Sequence, residues 1–272
     1  MLGPSLHSPA SFAGKDSALN RVNPSQVRVV LLDIEGTTTP VDFVYKTLFP
    51  YAVRKVEEFL REGLEATESR TLLSELYDQH RLDEGKEPRP PAWRGDTPET
   101  ELVSAAEYVR WLIATDSKCT PLKSLQGKIW QQGFDGGELR GEVYSDVPRA
   151  FARWRKQGRE ICIYSSGSVL AQKLLFGTIA AGDLTSQIRA YFDTQTGVKT
   201  SPESYHKIAA SLGYQPDEIL FLSDARKEIE AATTAGMQIL LCQRDSPSPE
   251  ITGTTAKNPV QIVKDFDVVL PD

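Results

Sequence analysis

The run Val27–Thr38, VRVVLLDIEGTT, constrains this chain most: an apolar stretch breaks off abruptly into two acids, a glycine and a row of threonines. A stretch this apolar reads as a parallel strand buried on both faces, and such a strand places Asp33 at its carboxyl end, where open α/β sheets bind their ligands. The residue types there suit phosphoryl chemistry. A carboxylate such as Asp33 can attack phosphorus and split one difficult displacement into two easier ones. Glu35, two residues on, is placed to protonate a leaving oxygen and then to activate a water. Gly36 allows a sharp turn off the strand, and Thr37 offers a hydroxyl and an N–H to phosphate oxygens. Taken alone, the stretch also fits a strand ending in an ordinary Asp/Gly turn.

Three later segments supply what a phosphoryl site still needs. Glu160–Ser166, EICIYSS, is a second apolar run that ends in Ser165 and Ser166 just before a helix from Val169, and hydroxyls and free amides at such a junction bind phosphate. Lys199 lies in the turn-rich TGVKTSPESYHKI, ahead of a helix opened by Ser201 and Pro202, where a cation can hold an aspartate and a phosphoryl group together. Ile219–Asp224, ILFLSD, repeats the pattern of apolar strand followed by an acid. Two facing carboxylates about 4 Å apart repel by roughly 1 to 4 kcal/mol, and a divalent cation between them removes that cost. Hard oxygen donors beside a phosphate favour magnesium, and no Cys/His cluster offers zinc a site. Asp33, the Glu35 position and Asp224 are the expected magnesium ligands; whether Glu35 would use its carboxylate or its carbonyl stays open. Glu228, four residues past Asp224, reads either as a partner supporting the metal site or as an exposed helix acid.

DIEGTT, YSSGS, the loop lysine and LSDARKE come in the order and at the kind of spacing of the haloacid dehalogenase superfamily, which the chain resembles over residues 27 to 245. DIEGTTTPVDFV, LQGKIWQQGF and VYSSGSVLAQKLLF narrow the resemblance to the enolase-phosphatases, or acireductone synthases, of methionine salvage. Most superfamily members carry a second Asp where this chain has Glu35, and that departure fits the enolase-phosphatase branch. The resemblance implies one magnesium ion held by Asp33, Glu35 and Asp224, substrate held by Ser165, Ser166 and Lys199, and catalysis by Asp33 as nucleophile with Glu35. It also implies a reaction: 2,3-diketo-5-methylthiopentyl-1-phosphate is enolised and then dephosphorylated to 1,2-dihydroxy-3-keto-5-methylthiopentene. The motifs account for the second step; they do not identify the base for the first.

The expected fold is a doubly wound parallel α/β sheet, a haloacid dehalogenase-like Rossmannoid core, carrying an inserted helical cap. Residues 26–44 and 141–272 are assigned to the core, 45–140 to the cap and 1–25 to a disordered tail. Helical patterning covers Tyr45–Leu60, Arg70–Glu84, Glu99–Thr115 and Leu122–Gln132. Trp130 and Phe134 face either the site or the cap interior. In the core, strands are expected at Ile161–Tyr164, Ala190–Asp193, Ile219–Ser223 and Met237–Cys242, with helices at Val169–Phe176, Pro202–Leu212 and Ala225–Ala235. Asp146 is the expected N-cap of a helix ending at Gly158, Asp245–Asn258 a Ser/Pro/Thr-rich loop, and Val268–Leu270 an edge strand.

Composition excludes several function classes. With 31 basic and 37 acidic residues, a net charge of -6 gives no general pull toward nucleic acid. No apolar stretch is long enough to span a membrane, and the first 25 residues have no hydrophobic signal core. Cys119, Cys162 and Cys242 are widely spaced, as for reduced thiols in a cytoplasmic protein, with the nucleus a second possible residence. His7, His80 and His206 have no Ser or Cys partner in a triad pattern, and no P-loop or GxGxxG is present. The expected partner is the small phosphorylated diketone, met by a monomer. Two rival readings share the core: a phosphatase or phosphomutase for a small sugar phosphate, and a non-catalytic phospholigand-binding protein.

Overall fold

The computed structural model describes residues 22–63, 67–244 and 260–272, with residues 67–69 described in backbone only. Six strands, β1 (Val29–Leu32), β2 (Glu160–Tyr164), β3 (Ile188–Phe192), β4 (Ile219–Ser223), β5 (Gln238–Cys242) and β6 (Ile262–Val263), form one sheet in the order β3-β2-β1-β4-β5-β6. Every pairing is parallel. The inner strands β1 and β4 are buried at every residue, which is why their sequences are apolar without alternation.

Successive residues of a strand serve opposite faces of the sheet. Val30 and Leu32 of β1 join the cluster under helices α6 (Asp146–Lys156) and α7 (Val169–Gly177), while Val29 and Leu31 join the one under α8 (Pro202–Leu212) and α9 (Arg226–Thr234). From β1 the chain crosses toward β2, whereas from β4 it crosses toward β5. The crevice beyond the carboxyl ends of β1 and β4 is therefore the switch point of the sheet, where ligands bind in such folds.

Helices fill the interval between β1 and α6: a short α1 (Val41–Phe43), a π-helical turn (Val44–Leu48) and α2 (Phe49–Glu62) run on without a break, followed by α3 (Thr67–Asp83), α4 (Pro98–Ala114) and α5 (Thr120–Asp135). A capping box between Thr97 and Thr100 starts α4, with Pro98 in its first turn. These are the four helices expected from the sequence, although the first begins at Val41, earlier than Tyr45. Leu102, Tyr108, Leu125 and Phe134 belong to the same apolar cluster as Val30 and Leu32, so the insertion shares its core with one face of the sheet. Phe134 lies in that interior.

Two sequence expectations need correction. Val268–Leu270 is not an edge strand; β6 lies at Ile262–Val263. The carbonyl of Val269 is taken by Arg153 at 3.0 Å and by the Trp154 indole at 2.9 Å, and that of Leu270 by Gln157 at 3.2 Å, so side chains of α6 occupy the groups a ladder would use. Asp146 is not an N-cap: Ser145 holds that position without a side-chain bond, and the Asp146 carboxylate is buried against Arg244 at 2.8 Å and the Phe266 N–H at 2.6 Å. The expected tail, 1–25, lies outside the described residues except for its end, where Asn23 opens a turn closed by the Gln26 N–H at 3.1 Å. The expected loop Asp245–Asn258 also lies outside them.

Trp154, fully buried, stacks beside Phe266 with ring centroids 5.5 Å apart and ties the C-terminal segment to α6. Trp154→Ala is expected to lower the unfolding free energy by about 3–5 kcal/mol in chemical denaturation, combining lost burial, a cavity and a released carbonyl. A wild-type denaturation midpoint would show that the segment is not held through this side chain.

Candidate active site

The apolar strands bring their terminal acids together. Asp33 leaves β1 with its N–H on the Leu222 carbonyl at 3.0 Å, and Asp224 follows β4 directly. Between them the chain folds tightly: the N–H groups of Thr37, Thr38 and Thr39 all turn back to the Ile34 carbonyl. Gly36 adopts φ 70°, and a Cβ there would fall inside the Asp224 carboxylate, so glycine is needed for both the turn and the space. Thr37 joins the two aspartates, its hydroxyl accepting from the Asp224 N–H at 3.1 Å and donating to Asp33 Oδ2 at 3.4 Å.

Lys199 reaches this cluster from the loop before α8. Its ammonium, buried, is paired with Asp33 Oδ1 and lies 2.7 Å from Glu228 Oε2 and 5.8 Å from the center of the Tyr164 ring. Its loop is held at three points: Tyr205 donates to the Lys199 carbonyl at 2.7 Å, Ser204 to Val198 at 2.8 Å and Tyr164 to Gly197 at 3.0 Å. Glu228 also accepts from Ser223 at 2.8 Å. It is thus not an exposed helix acid: it is the second counter-ion of Lys199, and through that lysine it supports Asp33, a candidate metal donor.

Ser165 and Ser166 follow β2, with Ser165 N bonded to the Phe192 carbonyl at 3.1 Å. The Ser165 hydroxyl lies 3.4 Å from Glu35 Oε2 and accepts from the Gly167 N–H at 3.1 Å. All six expected site residues therefore meet at the carboxyl edge of β1, β2 and β4, with Lys199 arriving from beyond β3.

The charge balance is uneven: Asp33, Glu35, Asp224 and Glu228 surround one ammonium. Burial would lower the Lys199 pKa, but the charges of Asp33, Glu228 and Glu35 outweigh it and hold the lysine above its ordinary value. Burial, with Asp33 next, raises Glu35 against the pull of Lys199. Asp224 is pushed up to about 7 by burial, Asp33 and Glu228, and Glu228 to about 7 by burial and Asp33. Among the described residues no three His, Cys, Asp or Glu side chains close into a metal cage of their own. The donor set nevertheless fits a hard divalent cation: two oxygen donors, Asp33 and Asp224, sit amid surplus negative charge that a cation would neutralise.

Beside the carboxylates a cleft opens between the sheet edge and the inserted helices. Glu35, Ser165, Ser166 and Gln172 form its polar floor, and Leu48, Phe49, Leu122 and Trp130 an apolar wall. Trp130 thus serves both expected roles, largely buried yet lining the cleft, with its indole N–H on the Leu48 carbonyl at 2.9 Å and its ring stacked on Phe49. The sequence reading missed Lys118 and Lys123, which also line this cleft; Lys123 donates to Thr194 at 2.8 Å and is lowered by burial and by Lys118. Their signal was faint: two lysines flanking an α5 start in SKCTPLK.

A haloacid dehalogenase-like hydrolase family model matches residues 27–236. The chain belongs to that family. Within it, the chain is 48% identical over 221 residues to enolase-phosphatase E1 of Synechococcus elongatus, covering 81% of this chain and 90% of that one. To enolase-phosphatase E1 of Drosophila melanogaster it is 43% identical over 239 residues, covering 88% and 91%. The crystal structure of the UTR4 protein of Saccharomyces cerevisiae superposes with a TM-score of 0.70 at 32% identity, over 89% of this chain and all of that one. The resemblance to enolase-phosphatases drawn from the motifs is thereby met, and the chain is a hydrolase of that group.

For Asp224 and Glu228 the folded-state pKa lies above the ordinary carboxylate value, so the protonated forms stabilise the fold below about pH 4 and that stabilisation is lost as pH rises toward 7. In chelator, Asp224→Asn should therefore gain stability relative to the parent progressively between about pH 4 and 7, read as the difference in melting temperature. A difference independent of pH would show that Asp224 is not held under repulsion.

Proposed function

We propose that this protein is a magnesium-dependent enolase-phosphatase that converts 2,3-diketo-5-methylthiopentyl-1-phosphate, through its enol, to the acireductone 1,2-dihydroxy-3-keto-5-methylthiopentene and phosphate in methionine salvage. The observation that carries this reading is the convergence of Asp33, Lys199 and Glu35 at the mouth of a cleft that is polar at the carboxylate end and apolar beyond. The relatives are enolase-phosphatases by name, and the diketo phosphate that the motif resemblance implies suits the cleft: phosphate at the polar floor, methylthio tail against Leu48, Phe49 and Trp130.

In this reading Lys199 orients Asp33, whose carboxylate oxygen attacks phosphorus and forms an aspartyl phosphate. The hydroxyls and N–H groups of Ser165 and Ser166 hold the phosphoryl oxygens. Glu35, whose proton affinity is raised by burial and by Asp33, gives its proton to the departing enediol oxygen. As a carboxylate it then takes a proton from the water that releases phosphate and restores Asp33. A magnesium ion bound by Asp33 and Asp224 would neutralise charge on the phosphoryl group and on the keto oxygens of the substrate. Glu35 would enter that shell through its carbonyl, because its carboxylate is turned to Ser165. The enolising base belongs among the titratable side chains of the cleft, Glu35, Asp116, Lys118 and Lys123.

Residues 45–140 act as a cap over a core of 26–44 and 141–272, and desolvation under the cap strengthens the Lys199 and carboxylate contacts with phosphate. One chain supplies the whole site, so a monomer suffices. The unpaired cysteines suit the cytoplasm; among the described residues no helix is long and apolar enough to cross a membrane.

Phosphate release and enol absorbance, followed together on the diketo phosphate, should both appear with magnesium and both vanish on chelation. Asp33→Asn should remove phosphate release, by at least about 10³-fold, while the fold persists. Near-normal turnover in that variant refutes Asp33 as nucleophile. Cleavage of generic phosphomonoesters with an inert diketo phosphate refutes the substrate and leaves the phosphatase.

A further inference from the structure

Arg244 belongs to no motif, follows β5 and touches none of the acids at the sheet edge, yet it is among the most heavily engaged side chains near them. Its Nε and one terminal nitrogen both donate to the Thr37 carbonyl, at 3.1 and 2.7 Å. Its other terminal nitrogen bonds Asp146 Oδ2 at 2.8 Å and the Lys264 carbonyl at 3.3 Å. The guanidinium carbon sits 4.2 Å from the center of the Tyr144 ring and 4.6 Å from that of Phe266. Both Arg244 and Asp146 are buried.

We infer that Arg244 is a positioning residue for catalysis: by fixing the Thr37 carbonyl, it sets where the Thr37 hydroxyl stands between Asp33 and Asp224. Among the described residues Thr37 is the single side chain bonded to both, accepting from the Asp224 N–H and donating to Asp33 Oδ2. Its peptide is gripped from outside by the arginine fork, and the adjacent Thr38 carbonyl by the Tyr144 N–H at 3.0 Å. A planar fork can hold one carbonyl oxygen by two N–H groups, which restricts rotation of the peptide; an ammonium offers a point charge without that restriction. The buried Asp146 keeps the fork aimed, and the two rings leave it no sideways freedom. Displacement of a reacting group by about 1 Å can cost 10²-fold in rate, so the grip on Thr37 is a grip on turnover.

The inference rests on the reading of Asp33 as nucleophile, and its test separates the two. Phosphate release from the diketo phosphate is measured for the parent, Arg244→Lys, Thr37→Ala and the double variant, with melting temperatures alongside. Arg244→Lys should lower kcat roughly 10- to 100-fold with KM changed less than about threefold. Because Arg244 acts through the Thr37 side chain, the double variant should be no slower than the slower single one, the mark of two residues in one chain of action. Multiplying losses, or a parental kcat in Arg244→Lys, overturns the inference; an inactive parent would instead overturn the function proposed above. If Arg244→Lys does not fold, Arg244→Met combined with Asp146→Asn leaves no buried charge unpaired and takes its place in the same comparison. A purely structural arginine would shift the melting temperature and leave the kcat of the folded protein untouched.

Discussion

The buried ammonium of Lys199 is the interaction on which the rest of the site depends. Asp33 and Glu228 approach from different elements, β1 and α9, and without a cation between them the carboxyl edge of the sheet would gather like charges in a low-dielectric setting. One lysine does not balance four acids, and the residue of that imbalance is visible in the raised Asp224, Glu228 and Glu35. The site stores this repulsion because the surrounding sheet over-determines it: β1 and β4 are buried throughout and pair along their whole length, leaving Asp33 and Asp224 no freedom to separate. A divalent cation bound there, as the proposed function requires, would relieve that stored cost, so that a rigid α/β core would turn stability into affinity at one edge.

The helical insertion answers a different requirement. A crevice at the end of a parallel sheet is open to water, and water weakens every electrostatic contact made there. Placing helices over the edge supplies an apolar wall, and the continuity of one hydrophobic cluster from Val30 and Leu32 into Leu102 and Leu125 fixes that wall relative to Asp33. Lys123, bonded across to Thr194, makes a polar tie at the same boundary.

The parts of this architecture that could be read in the sequence are those governed by short-range pattern. Strands buried on both faces give unbroken apolar runs, each ending at its acid or serine, so Asp33, Ser165 and Asp224 were legible as strand-end residues. The helices of the insertion were legible from their periodicity, and the turn at Gly36 from residue type. What escaped was set by partners far away in the chain. Val268–Leu270 has the composition of a strand but lies under α6, where Arg153, Trp154 and Gln157 take its carbonyls. Asp146 has the local setting of a cap but finds Arg244, 98 residues away. Glu228, open by its spacing between an exposed helix acid and a partner of the metal site, is decided only by the Lys199 ammonium beside it.

These misses share a cause that bears on how the site works. A side chain's local sequence predicts the backbone it sits on, whereas its charge partner is chosen by topology, and in a sheet with a switch point the strands that meet are distant in sequence. Asp33, Lys199 and Asp224 meet across positions 33, 199 and 224 because β1 lies between β2 and β4, with β3 beyond β2. The same topology brings Arg244, just past β5, under the Thr37 loop that follows β1. Two neighbouring strands thus support one turn from opposite sides: Asp224 after β4 fills the space left by Gly36, and Arg244 after β5 holds the carbonyl of Thr37. The turn is closed from within by three N–H groups on the Ile34 carbonyl, and these two contacts fix it against the sheet.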